Sequence, residues 1–154
     1  MNLMGYYMRY ITTSEQAITL AGIAAALQAL DPAYTLQGEQ VDDRADLLHG
    51  ETFCGALEIN RAGEDIFEDD RREFREMIGA GETEAERRVL DTLANAKTIV
   101  AVEVSWQGTD SDAALARLDP LWDWLFAHYP GVLQADNEGF YDADDLIVER
   151  NFMF

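Results

Sequence analysis

Apolar and polar positions alternate most plainly over Thr98–Trp106. Val100, Val102, Val104 and Trp106 fall on one side, and Ile99, Ala101, Glu103 and Ser105 on the other. Period two predicts a strand. The same pattern predicts one over Tyr6–Thr12, with Tyr6, Met8 and Tyr10 facing one way and Tyr7, Arg9 and Ile11 the other. Between them, Leu20, Ile23, Ala24, Leu27 and Leu30 recur at helical spacing. Asp31-Pro32 stops that helix, because the residue before a proline is pushed out of helical backbone. Its start is open between Thr13 and Thr19, each a capping hydroxyl.

Residues 34–62 read as a hairpin. Tyr34–Gln37 and Leu47–His49 are short extended pieces around the acidic loop Asp42-Asp43-Arg44, His49-Gly50-Glu51 is a turn, and Phe53–Asn60 is the return strand. Phe53, Leu57 and Ile59 share one face of that strand; Ala56, Glu58 and Asn60 share the other. Asp65–Ile78 is helical and ends at Gly79-Ala80-Gly81, since paired glycines are costly inside a helix. Thr83-Glu84-Ala85-Glu86 restarts a helix with a capping box. A third helical stretch, about Asp112–Tyr129, contains Pro120, which demands a kink or a fresh start with Asp119 as cap. Val132–Ala135 and Leu146–Arg150 are the last strands, joined by an acidic segment, Asp136–Asp145.

This order predicts one α+β domain over residues 1–154. The expected architecture is a mainly antiparallel sheet with helices on one face, a ferredoxin-like βαββαβ core and a C-terminal αββ extension. The chain has 154 residues, 48% of them hydrophobic and 27% charged, enough to bury a core without a disulfide or metal. Cys54 is the lone cysteine, so no internal disulfide forms, and its apolar neighbours point to a buried thiol. No basic segment precedes an apolar stretch at the N-terminus, and no apolar run reaches the ~20 residues a bilayer requires. A cytoplasmic location is the expectation.

Charge changes the picture more. Thirty acids face eleven bases, a net charge of −19. From Thr98 to Glu149 there are eleven acids and one base, Arg117. Such a surface repels phosphate backbones and anionic lipids, which argues against nucleic-acid and membrane partners. It suits a basic protein, and it also serves solubility.

Motifs for catalysis are missing. Gly79-Ala80-Gly81 lacks the lysine of a phosphate loop, and no Gly-x-Gly-x-x-Gly or Gly-x-Ser-x-Gly occurs. His49 and His128 have no ligand-like neighbours in sequence, so no metal or other cofactor is expected; Trp124 is a packing partner for His128. Asp136–Asp145 has the composition of a cation loop without EF-hand spacing and reads as turn chemistry. The charged run Glu64–Glu73 reads as a solvated helix face. Trp122, Trp124, Phe126 and Tyr129 form an aromatic group at helical spacing, with Trp124 off the main stripe and suited to an interface.

One constellation remains. Strand parity places Arg9, Tyr7, Glu58 and Glu103 on one sheet face, the face expected to be open, with Asn60 and Ser105 beside them. They form either a cross-strand salt bridge or a site for a small polar ligand. The apolar tail with Phe152 and Phe154 is expected to dock, on its own domain or across a homodimer. The leading expectation is a non-catalytic binding or regulatory domain for a protein partner, immunity-like or inhibitor-like. The alternative is a small enzyme or ligand-binding protein centred on Arg9, Glu58 and Glu103.

Overall fold

A computed structural model of the chain describes residues 5–38, 43–106 and 110–150. Its elements run β1 (Tyr7–Thr12), α1 (Leu20–Leu30), β2 (Tyr34–Gln37), β3 (Arg44–His49), β4 (Thr52–Arg61), α2 (Asp65–Ile78), α3 (Glu84–Ala94), β5 (Thr98–Val104), α4 (Ser111–Ala116), α5 (Asp119–His128), β6 (Gly131–Ala135), β7 (Gly139–Tyr141) and β8 (Leu146–Glu149). The eight strands make one antiparallel sheet in the order β2-β3-β4-β5-β1-β6-β7-β8. Among the described residues no helix is long and apolar enough to cross a membrane.

The α+β class and the antiparallel sheet match the expectation from the sequence. The strand order does not match a ferredoxin-like sheet: β1 pairs antiparallel with both β5 and β6. Nor do the helices keep to one face. Leu20, Ile23 and Leu27 of α1 pack with Leu118, Trp122 and Leu125 against Tyr10, Leu57, Ile59, Val100, Val102 and Val104. Phe67, Phe74 and Ile78 of α2, with Val89 and Leu93 of α3, pack against Ile11, Ile99, Ala101, Val132, Phe140 and Val148. The reason lies in β5, whose two faces are both apolar; a strand of that kind is buried on both sides.

Local signals set the element ends. Thr19, not Thr13, caps α1, accepting from the Gly22 N–H at 3.0 Å. Thr83 and Glu86 form the full capping box of α3. Pro120 divides the third helical stretch into α4 and α5 and sits in the first turn of α5, with Leu118 rather than Asp119 at the cap position. A bulge shifts the β3–β4 register at Leu47/Leu48, so Cys54 rather than Phe53 joins the core with Leu57 and Ile59. β5 ends at Val104, leaving Trp106 40% exposed with its ring edge-on to Tyr6. Gly139, at φ 133°, lies so close to the Val148 carbonyl oxygen that a Cβ would overlap it, which fixes glycine at the start of β7.

Candidate functional site

The register of β1 against its neighbours decides what Arg9 meets. Arg9 lies opposite Gln134 on β6 and Ala101 on β5, and Ala101 lies opposite Glu58 on β4. Arg9 and Glu58 therefore share a face with a whole strand between them. Tyr7 is opposite Glu103, which is opposite Ala56. The parity read from the sequence holds, but among the described residues no ion pair joins Arg9 to Glu58 or Glu103.

Arg9 turns instead to the β6 side and to α2. Its Nη1 donates to Gln134 Oε1 at 2.8 Å and to Asp136 Oδ1 at 3.0 Å. Its Nε lies 3.4 Å from Asp70 Oδ2. The guanidinium carbon sits 4.8 Å from the centre of the Tyr7 ring and 5.4 Å from that of Phe74, within cation–π range. Gln134 Nε2 donates to Asp136 Oδ1, and the Tyr7 N–H donates to Asp136 Oδ2, both at 3.0 Å. Arg9 is 7% exposed and Asp136 fully buried. The cluster is a packed charge centre under α2.

Two carboxylates share that one guanidinium, and they are not equally favoured. Desolvation outweighs the attraction of Arg9 at Asp70, and Glu73, Glu58 and Asp136 add repulsion, so its pKa is pushed up to about 6. Asp70 belongs to the run that reads as a solvated helix face; that reading fails for this residue. The signal against it is helical: Asp70 follows Phe67 by three positions and precedes Phe74 by four, on the apolar stripe. Asp136 belongs to the segment that reads as turn chemistry. Its contrary signal is strand parity with Val132 and Gln134.

Tyr7, Glu58 and Glu103 are half-buried on this face. With Arg44, Ala45, Asp46 and Ala56 they line an open cavity of about 250 Å³ that does not include Arg9. A second cavity of about 380 Å³ shares Arg44 and Glu58 with it and adds Asn60, Glu64, Asp65 and Ile66. Arg44 Nη2 pairs with Glu58 Oε2 at 2.8 Å. Asn60 is 6% exposed, and its buried Nδ2 has no hydrogen-bond partner among the described residues. The Tyr7 phenol is shifted up, first by desolvation and then by Glu103, against the opposing pull of Arg9. A larger, shallower cavity of about 730 Å³ lies between α2 and α3 beside Arg72, Arg75 and Arg87, away from all these groups.

The other singled-out residues have structural partners. His49 Nε2 lies 2.8 Å from Asp31 Oδ2, and its ring stands edge-on to Tyr34. His128 packs on Trp124, ring centres 5.5 Å apart, and its Nδ1 lies 2.9 Å from the Trp124 carbonyl oxygen. Trp124 is half-buried. Cys54 is buried, and burial pushes its thiol pKa up. Among the described residues no group of three acids, histidines or cysteines is arranged to hold a metal ion. Phe152 and Phe154 lie outside the described residues. Comparison with protein-family models, curated proteins and solved structures finds no match, so the chemistry of the site has to be read from its own residues.

Proposed function

We propose that this chain is a non-catalytic binding or regulatory domain that engages a basic protein partner at the β3–β4–β5 end of the sheet. The observation that supports this is the paired cavity there. Asp46, Glu58, Glu64, Asp65 and Glu103 line it against a single base, Arg44, and Ile66, 51% exposed, adds apolar area at its edge. An acidic groove with low-dielectric walls focuses the field of the −19 charge and steers a cationic partner into register. An inhibitor-like or immunity-like role in the cytoplasm, neutralising a cationic protein, fits this chemistry.

The alternative, an enzyme or small-ligand site centred on Arg9, needs a guanidinium free to meet a ligand. Arg9 is buried and already ion-paired with Asp70 and Asp136.

The test is affinity capture from an extract of the source cells at low and high salt, followed by titration of the captured protein. A basic protein should be retained at low salt and released as salt screens the contact. Glu58→Gln with Glu103→Gln should weaken binding at least about tenfold, or 1.4 kcal/mol. Unchanged affinity of that double variant, or a captured partner with no basic surface, refutes the proposal.

A further inference from the structure

The cavity of about 730 Å³ between α2 and α3 shares no residue with the acidic groove. One stripe of each helix lines it. Arg72, Arg75 and Glu76 come from α2, and Arg87, Leu90 and Asp91 from α3, at i, i+3 and i+4 in both. Gly79 and Ala94 continue the two stripes at i+7. Three arginines against two acids make this lining net positive, on a chain whose acids outnumber its bases thirty to eleven. The volume falls within the range of ligand pockets, roughly 300–1,000 Å³.

Two of these arginines have no anionic partner. Of the ten arginines in the chain, only Arg75, Arg87 and Arg117 lack an ion pair among the described residues. On a surface with so many carboxylates an unpaired arginine is the exception, and two of the three line one cavity. The Arg75 side chain is exposed and has no hydrogen bond among the described residues. Its place in the last turn of α2 suits the helix dipole. Arg87 has no such reason to be where it is: it is the fourth residue of α3, near the end where the dipole disfavours a cation. It is nonetheless held there. Its Nη1 donates to the carbonyl oxygens of Gly81 and Glu82, each at 3.2 Å. Gly81, at φ 77°, closes on its stem; a Cβ there would lie 3.2 Å from Arg87 Cγ and 2.8 Å from Leu90 Cδ1. The turn thus fixes Arg87 and leaves its Nε and Nη2 without a partner among the described residues. Arg72 pairs with Asp69, but both side chains are 60% exposed, and a pair of that kind is readily exchanged.

From the two unpaired arginines on separate helices, one of them anchored against its own helix dipole, we infer that this cavity binds a compact, hydroxylated organic anion with two or more phosphate or carboxylate groups. One oxyanion meets the fork of Arg87 and another meets Arg75 and Arg72, since a guanidinium matches either oxyanion in bidentate fashion. Glu76 and Asp91, on the same stripes, accept from the ligand's hydroxyls, and Leu90 and Ala94 meet its carbon skeleton. The anion has to be compact. A long polyanion would run out of the cavity onto the acidic surface of a chain of charge −19 and be repelled.

Two probes separate the oxyanions: fructose 1,6-bisphosphate for phosphate and citrate for carboxylate. Isothermal titration of the full chain in about 0.15 M sodium chloride should give saturable one-to-one binding of at least one of them with Kd below about 1 mM, and the tighter one assigns the group. Fructose, with the hydroxyls and no charge, should not bind. Arg75→Gln with Arg87→Gln should weaken the bound anion at least about tenfold. Arg75→Gln alone, which removes no side-chain contact among the described residues and so spares the fold, should weaken it at least about threefold. Arg61→Gln with Lys97→Gln removes the same charge from residues that do not line the cavity, and should leave binding within about twofold. Any one of four results overturns the inference: neither anion saturating up to about 10 mM, fructose binding as well as its bisphosphate, Arg75→Gln without effect, or equal weakening by the two double variants. The last would mean a diffuse response to net charge.

Discussion

Replacing Asp70 with asparagine should stabilise this protein at neutral pH, although it deletes half of an ion pair. Asp70 Oδ2 lies 3.4 Å from Arg9 Nε, and its side chain is 15% exposed. Arg9 already has Asp136, closer at 3.0 Å and fully buried. The second carboxylate therefore loses its water for an attraction it must share, against repulsion from Glu73, Glu58 and Asp136. The balance raises its pKa from 3.8 to about 6. At 1.36 kcal/mol per unit, that shift corresponds to roughly 3 kcal/mol of pH-dependent stability. A carboxyl with a raised folded-state pKa binds its proton more tightly when folded. Its stabilising contribution is complete below pH ~4 and is lost as pH rises through about 6. The Asp70→Asn side chain stays neutral at every pH. The variant should be more stable than wild type by roughly 1–3 kcal/mol at pH 8, and the difference should shrink by about 2 kcal/mol by pH 4.5. Urea unfolding followed by tryptophan fluorescence, at half-unit steps from pH 4.5 to 8, measures it. Subtracting the two curves cancels the titration of the other acids. A variant less stable at pH 8 by more than about 1 kcal/mol, with a pH-independent difference, would show that the Arg9–Asp70 pair is net favourable.

Three further substitutions probe the charge centre, a turn and a cap. Arg9→Met leaves Asp136 buried without a cation and should cost about 3–5 kcal/mol in urea unfolding at pH 7. Gly139→Ala forces an alanine to φ 133° and into the Val148 carbonyl, and should cost at least about 1–3 kcal/mol; calorimetry would show the lowered Tm. Thr83→Ala removes the capping box of α3 and should cost about 1 kcal/mol, while Thr83→Ser should retain most of it, both read from urea unfolding midpoints.

The local pattern carries the elements further than the topology. Val100, Val102 and Val104 are buried against helices as their spacing requires, at 0%, 0% and 5% exposure. That triplet overshadows what Ile99 and Ala101 say about the other face. A strand apolar on both sides needs a layer on each, and α2–α3 supply the second. The place of β1 between β5 and β6 is not legible, because pairing across more than eighty residues leaves no mark on either strand's period. β7 escapes for a different reason: at three residues, Gly139–Tyr141 is too short to show alternation, and the acids around it dominate the segment. In the candidate site, parity correctly groups Arg9, Tyr7, Glu58 and Glu103, but parity does not say which neighbouring strand a long side chain will reach. Gln134 and Asp136 win because β6 adjoins β1 directly, whereas β5 stands between Arg9 and Glu58.

The buried charge centre and the open acidic groove are two consequences of one placement. Arg9 is a base buried under the sheet's second face, and Asp70 on α2 and Asp136 after β6 close over it from both sides. Phe74, beside the guanidinium, also packs edge-on to Phe140, with ring centres 5.7 Å apart. Those contacts hold α2 over the β1–β6–β7 part of the face. The β3–β4–β5 end of the same face is left with Asp46, Glu58 and Glu103 lining an open cavity. A helix shifted to cover that end would have to bury these carboxylates opposite a single arginine, Arg44, at several kcal/mol for each unpaired ion. The fold therefore leaves these acids lining a cavity open to solvent and reserves Arg9 for the interior.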